Sequence, residues 1–498
     1  MRRGSGGDGK MIPVLTAEGS RRCDKTLMER YGHDGYGLMC RAGEGIVRTV
    51  VERFPNGCRT LICCGPGNNG GDGFVVARLL KERSADALTA VLCDPARLTG
   101  DALTAYREAC EAGCPMTDGF PGTDGFDCAI DALFGTGLSR ELSEDYRSVI
   151  EALNRSGIYK IAVDIPSGID GTRGTVCGAA LRADETVTMQ YLKYGLVLTP
   201  GRIHAGHIRV CEIAPEYPAE GTACLLEEED IRAMLPERPL DSHKGKNGHA
   251  LLVGGSSRYT GAVLMSARAA LRGGAGITSA AVPAAVRPVL FTLPEVISVP
   301  CGDGGSWDVS AADAFEKLDL SRYSAFAVGP GLDEMTDPRP VERLLETGKP
   351  LVIDADALNL LSRERRLLAH LHANILLTPH PGEMARLTGK SVAELLEDPV
   401  GTAIAAARDL HCTVLLKGAT SVITDGKDIR FNTSGNAGLA KGGSGDVLTG
   451  IALAMLSQGL NAFDAGCAAS FLLGVSADRA MRVLSNRALI ASDVIDML

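Results

Sequence analysis

CCGPGNNGGDGFVVARLL, residues 63–80, is the stretch on which the fold turns. It opens inside the apolar run RTLICC, breaks into a turn rich in glycine and asparagine, and resumes as FVVARLLKER with helical apolar spacing. A short apolar run ending in glycine and proline reads as a strand buried on both faces. The periodic stretch after it reads as the crossover helix of a parallel sheet. Working outward, FDCAID (126–131) precedes ALFGTGLS, and YKIAVD (159–164) leads into IPSGIDG. DYRSVIEALNRSG (145–157) fits a helix closed by a glycine C-cap. This is βαβ rhythm, and the class is α/β.

The rhythm fades across residues 211–249, where prolines and the charge run Glu227–Asp230 intervene. It restarts in HALLVGGSS (249–257), SAFAVGPGL (324–332), PLVIDADAL (350–358), NILLTPHPGE (374–383) and TVLLKGAT (413–420). SVITDGKDIRF (421–431) reads as a hairpin on an Asp-Gly turn. The expected organisation is a disordered tail over 1–10, one domain over 11–217, a linker over 218–227 and a second domain over 228–498. Met11 is an alternative start. In nearly every run the Gly, Asp, His or Lys candidates come just after the carboxyl end. That edge of an open parallel sheet is where ligands bind, so two active sites are expected.

Composition bounds the partners. A chain of 498 residues that is 45% hydrophobic and 22% charged has ample core material, and 60 glycines imply many tight turns. The net charge of −10 leaves no basic excess for nonspecific nucleic-acid or anionic-membrane binding. No apolar stretch reaches the ~18 residues needed to cross a bilayer. The N-terminal MRRGSGGDGKM lacks the hydrophobic segment of a secretory signal. The 15 cysteines are scattered without paired CxxC units, which reads as reduced thiols and a cytoplasmic setting. Cys110 and Cys114 are expected on one helix. A homo-oligomer is expected.

A second loop, LAKGGSGDVLTG (439–450), repeats the chemistry of the first. Its glycines let consecutive amides converge on an anion, and a helix N-terminus adds a favourable dipole. Asp446 then falls in the first helical turn, as a cap or as a base for an attacking hydroxyl.

The longer phrase NAGLAKGGSGDVLTG resembles the ribokinase-like kinases, and LLKGATSVIT resembles their adenine-nucleotide segment. With HKGKNGHALLVGGSSRYTGAVLMSARAALRGGAG, GPGL, DADAL and TPHPGEMARL, residues 228–498 resemble the NAD(P)H-hydrate dehydratases. The resemblance implies removal of the C6 hydroxyl of hydrated NADH and NADPH at the expense of ADP, with Mg2+. It implies dinucleotide contacts at Ala262, Gly331, His380 and Asp446, with Asp446 as base. Nucleotide contacts would be Lys417, Gly418, Ala419, Thr420, Ser421 and Gly445. Bland readings remain open: helix packing for Ala262, a turn for Gly331, a helix cap for His380. Leu473 stands where the family pattern has histidine, a departure expected to bear on packing behind the site.

Residues 11–217 resemble the NAD(P)H-hydrate epimerase domain, through GPGNNGGDGFVVARLL, LMCRAG, DALFGTGLSREL, DIPSGIDGTRG and ADETVTMQYLKYGL. Cys40 departs from the acidic or amide residue usual there. The resemblance implies a Rossmann-like αβα domain beside a ribokinase-like αβα domain. Substrate contacts would be Asn68, Asn69, Gly70, Gly71, Asp72, Gly135, Thr136, Gly137, Leu138, Ser139, Arg140, Glu141 and Asp164, the last also catalytic. Lys193 is a candidate second acid/base group. Asn69, Asp131 and Ser167 offer hard oxygen ligands, and in the family these positions hold K+. The alternative is a vitamin or sugar kinase carrying an N-terminal nucleotide-binding scaffold.

Overall fold

The computed structural model describes residues 11–214, 223–333 and 337–498. The expected tail over 1–10 and residues 218–222 of the expected linker lie outside the described residues. The rest of that linker contains a strand, Ala223–Leu225, which pairs in parallel with Ile429–Asn432. Only three residues long and bordered by charge, it carries too little pattern to be read. The described residues form two compact units, Ile12 onward in one and Ala223 onward in the other.

The first unit is built on a seven-stranded parallel sheet. Its order is Met116–Asp118, Ala87–Val91, Thr60–Cys64, Cys128–Ala132, Tyr159–Val163, Glu185–Met189, His207–Cys211. Alternation explains its three layers. Ile62 and Cys64 face a core formed with the helices Gly35–Arg53, Asn68–Glu82 and Gly100–Glu111. Leu61 and Cys63 face the opposite way, onto Val149, Ile150 and Leu153 of the helix Glu144–Arg155. That helix ends without the expected glycine cap, because Ser156 is already extended and the chain runs straight into the next strand. From Thr60–Cys64 the chain crosses outward twice, then returns to the other side at Cys128–Ala132. The reversal opens a crevice beyond the carboxyl ends of these two strands.

The second unit has its own sheet, ordered Ile297–Cys301, Ile277–Pro283, His249–Val253, Ala325–Val328, Leu351–Ile353, Ile375–Leu377, Thr413–Leu416, Ser421–Thr424, Ile429–Asn432, Ala223–Leu225. Pairing is parallel as far as Thr413–Leu416 and antiparallel through the hairpin read from 421–431. Asp425 shapes the hairpin turn by accepting from the amides of Lys427 and Asp428, at 2.8 Å each. The helix Ser444–Ser457 is apolar on nearly every side and is buried from Val447 on. It lies against Thr260–Arg272 so closely that a Cβ at Gly450 would stand 2.1 Å from the Ser266 carbonyl oxygen.

All fifteen cysteines are free. Cys114 falls beyond the end of the Gly100–Glu111 helix, so it does not share that helix with Cys110. Among the described residues no helix is long and apolar enough to cross a membrane.

Candidate active sites

Each unit has a cavity of about 520 Å³ beyond the carboxyl ends of its strands. In the first, the helix Asn68–Glu82 begins at Gly67 with no side-chain cap, so its leading amides face the cavity. Asn68, Asn69, Asp72, Gly135, Thr136, Gly137, Leu138 and Asp164 line it; Gly70, Gly71, Ser139, Arg140 and Glu141 do not. Gly70 serves the turn: a Cβ there would lie 2.0 Å from the Gly65 carbonyl oxygen. A Cβ on Gly71 would meet Met39. Glu141 pairs with Arg147 at 2.8 Å.

Asp164 follows the Tyr159–Val163 strand at φ 67, a region that costs a non-glycine residue ~1–3 kcal/mol. Its carboxylate borders the cavity and is fixed there by hydrogen bonds from neighbouring elements. Oδ1 accepts from Lys193 Nζ at 2.5 Å, Thr188 Oγ1 at 3.2 Å and the Met189 amide at 3.4 Å. Lys193 is buried and also donates to Thr188 Oγ1 and the Met189 carbonyl. Asp101 also lines the cavity, as do two carboxyls within electrostatic reach of Asp164: Asp72 and Asp24, the latter on the helix Ala17–Tyr31. Neither has a hydrogen-bond or ion-pair partner among the described residues. Loss of hydration pushes Asp72 well above the usual carboxylate range, with Asp164 and Asp24 adding and Lys193 opposing. Asp24 stands at the cleft mouth with one side open to solvent. Reduced hydration, with the Asp164 charge adding and Lys193 opposing, raises it to about 6.

Asp131 and Ser167 lie together beneath this edge. Ser167 donates to Asp131 through its amide at 2.8 Å and its hydroxyl at 2.6 Å. Burial raises Asp131 to about 6, against these hydrogen bonds. Asn69 Nδ2 is buried with no partner. Gly135 lets Asn69 and Asp164 converge: a Cβ there would lie 2.8 Å from Asn69 Oδ1 and 3.5 Å from Asp164 Oδ2. The Asp131 carboxylate, the Ser167 hydroxyl and the Asn69 amide oxygen are hard oxygen donors.

In the second cavity, Gly443 adopts φ 98 as the N-cap of Ser444–Ser457 and offers no side-chain cap. Asp446 is in the first turn, and its carboxyl has no hydrogen-bond or ion-pair partner among the described residues. Loss of hydration raises it to about 7, with Asp354 and Asp356 adding and Lys417 opposing. Lys417 Nζ donates to Asp354 Oδ1 at 2.8 Å and lies 3.7 Å from Glu383. Burial alone would depress the Lys417 ammonium, but these carboxylates more than offset it and hold it raised. The other oxygen of Asp354 accepts from Thr449 Oγ1 at 2.7 Å. Asp354 thus ties Lys417 to the helix that carries Asp446. Within DADAL nothing local marks this aspartate, whose partners come from distant parts of the chain.

His380, Lys417, Gly418, Ser421, Gly445 and Asp446 line this cavity; Ala262, Gly331, Ala419 and Thr420 do not. Ala262 and Gly331 adjoin each other, since a Cβ on Gly331 would stand 3.1 Å from the Ala262 Cβ. His380 caps the helix Pro381–Thr388, its Nδ1 accepting from Gly382 at 3.0 Å and Glu383 at 3.4 Å. That leaves Nε2 as the protonated nitrogen. Leu473, expected behind the site, is part of the cavity wall. Among the described residues no group of three or more His, Cys, Asp or Glu is arranged to hold a metal ion.

Comparisons with known proteins cover both units. A family model described as NAD(P)H-hydrate dehydratase matches residues 250–497, and one described as YjeF-related protein N-terminus matches residues 35–195. The chain is similar to the bifunctional NAD(P)H-hydrate repair enzyme of Thermofilum pendens, 38% identical over 91% of this chain and 89% of that protein. It is 36% identical to the same-named enzyme of Moorella thermoacetica over 97% and 96% of the two chains. A solved ADP/ATP-dependent NAD(P)H-hydrate dehydratase of Bacillus subtilis is 34% identical, covering 55% of this chain and 95% of that one with a TM-score of 0.48. With relatives of this identity spanning both cavities, the chain belongs to the bifunctional NAD(P)H-hydrate repair enzyme family.

Proposed function

We propose that the chain restores hydrated NADH and NADPH in two steps. The first unit interconverts the R and S epimers at C6, and the second dehydrates the S form with ADP, giving AMP and phosphate. Asp446 carries the reading: an uncommitted carboxyl in a first helical turn, raised to about 7, beside glycine amides and Lys417. A base poised near neutrality can take the C6 hydroxyl proton as that oxygen attacks the terminal phosphoryl group. The C6–O bond then breaks with its electron pair on phosphate, a far better leaving group than hydroxide. Loss of a C5 proton closes the dihydropyridine double bond. Gly443–Gly445 amides and Lys417 would hold the transferring phosphate.

In the first unit Asp164, with Lys193 against it, would act at C6, and the amides from Asn68 onward would take the diphosphate. Asn69, Asp131 and Ser167 would hold K+, which supplies positive charge beneath the cavity floor. Mg2+ would arrive on the nucleotide phosphates, because both oxygens of Asp354 are already engaged by protein donors. A cytoplasmic setting agrees with fifteen free thiols. Relatives spanning both units favour this reading over a vitamin or sugar kinase with a scaffold domain.

The test mixes the protein with an R/S mixture of hydrated NADH and follows recovery of dihydronicotinamide absorbance. Full recovery that requires ADP is expected. No nucleotide-dependent recovery refutes the dehydratase half. Recovery that stops when the S form is spent, and proceeds only at the spontaneous exchange rate, refutes the epimerase half.

A further inference from the structure

Epimerisation inverts a stereocentre, and the N1 lone pair beside C6 lets the oxygen leave one face of the ring and water return on the other. One carboxylate cannot sit within hydrogen-bond reach of both faces of a bound ring. The first cavity has more acid–base groups than Asp164 and the Lys193 paired with it.

We infer that Asp24 is the second acid–base group of this cavity, serving the ring face that Asp164 does not. The inference rests on the epimerase reading above. Asp164 enters from the end of a central strand and is fixed through Oδ1 by Lys193, Thr188 and the Met189 amide. Asp24 enters from a different element, the helix Ala17–Tyr31, and its carboxyl has no partner among the described residues. Asp72 is also uncommitted and within electrostatic reach of Asp164 and Asp24, but it lies on the helix whose N-terminal amides would bind diphosphate. Besides Asp24 the cavity wall carries Arg21 from the same helix and Asp72, Asp101, Asp164 and Lys193 from other elements, of which Asp72, Asp164 and Lys193 are within electrostatic reach of Asp24. Three of these five are carboxyls, and Lys193 already spends its nearest contact on Asp164. The surroundings therefore favour the neutral acid at Asp24, in line with its rise to about 6.

The step balances. The Asp24 carboxylic acid gives its proton to the C6 hydroxyl, and the C6–O bond breaks with its electron pair on the departing water. The N1 lone pair closes to N1=C6. A water then adds to the opposite face, the π pair returns to N1, and the surplus proton passes to the Asp164 carboxylate. Solvent in the open cleft carries one proton from Asp164 back to Asp24. No oxidant, reductant or second substrate is consumed.

The experiment measures R-to-S exchange by the full-length protein over a pH series, using the wild type, Asp24→Asn and Asp24→Glu, with spontaneous exchange subtracted. The expected result is a fall in kcat of about 10²-fold or more for Asp24→Asn, with KM little changed and partial recovery in Asp24→Glu. Wild-type kcat/KM should fall above pH about 6 as the acid is lost, and Asp24→Asn should lack that limb. An Asp24→Asn protein with wild-type exchange, or one that loses only KM and keeps the limb, overturns the inference. If the wild type itself shows no exchange above the spontaneous rate, the epimerase reading fails, and this inference with it.

Discussion

Replacing Asp446 by Asn should abolish turnover and at the same time stabilise the second unit, by an amount that grows as pH rises from about 4 to about 7. The carboxyl is moved from its ordinary 3.8 to about 7 by loss of hydration, with Asp354 and Asp356 adding. A carboxyl raised in the folded state costs nothing below pH 3.8, where both states are protonated. The cost grows as pH rises toward 7 and is constant above it. At about 1.36 kcal/mol per pH unit the ceiling is about 4 kcal/mol, and the solvent contact Asp446 retains brings the expected figure to about 2 kcal/mol. Removing it should raise the Tm of this unit by about 4–8 °C at about pH 8 and by nothing at about pH 4. Thermal unfolding by circular dichroism at the two pH values reads this. ADP-dependent turnover, expected to fall about 10²–10⁴-fold, is followed in parallel. A variant no more stable than wild type at the higher pH, or equally stabilised at both, refutes the buried-base argument. Undiminished turnover dismisses Asp446 as the base.

Three other outcomes are expected. Gly70→Ala should destabilise the first unit and end epimer exchange, because its Cβ would stand 2.0 Å from a carbonyl oxygen; Gly137→Ala, with nothing within 4 Å, should leave the thermal transition unmoved. Lys417→Met leaves buried Asp354 without its cation and should lower stability by about 3–5 kcal/mol, with part regained on adding Asp354→Asn. Denaturant titration of the single and double variants measures both terms. Asp164→Ala should leave ADP-dependent consumption of the S epimer intact while halting use of the R epimer beyond spontaneous exchange, as chiral chromatography of the residual hydrate would read.

What the sequence made legible was local. RTLICC followed by GPGNNGGDG needs only neighbouring residues to be a strand, a turn and a helix start, and Asp446 sits within three residues of the glycines that identify its loop. What stayed hidden was assembled across distance. Asp354 acquires its role from Lys417 and Thr449, 63 and 95 residues away in the chain. Asp24 lies in SRRCDKTLMER, where a charged residue among charged neighbours reads as a solvated helix face. Only the placement of that helix over the sheet edge brings it to the cavity. The strand Ala223–Leu225 is specified by its partner Ile429–Asn432, and nothing within its own three residues announces it.

The two glycine loops look alike in sequence, yet they place their carboxylates differently, and the difference bears on what each can do. Asp446 is the third residue of its helix, within the turn whose amides have no intrahelical acceptors. Asp72 is the fifth residue of its helix, two steps past those amides and about 3 Å further along the axis. A phosphoryl group seated on the second loop would therefore lie level with the carboxyl that can deprotonate its acceptor. One seated on the first loop would have its carboxyl behind it. The cations differ as well: Lys417 borders the second loop, whereas in the first unit Lys193 is committed to Asp164. Both helix starts leave their leading amides without a side-chain cap. The third-position carboxylate and the adjacent lysine are what suit the second loop alone to phosphoryl transfer. Moving the carboxylate to the third position of the first helix, as Gly70→Asp, cannot convert it, because Gly70 has a carbonyl oxygen where a Cβ would go.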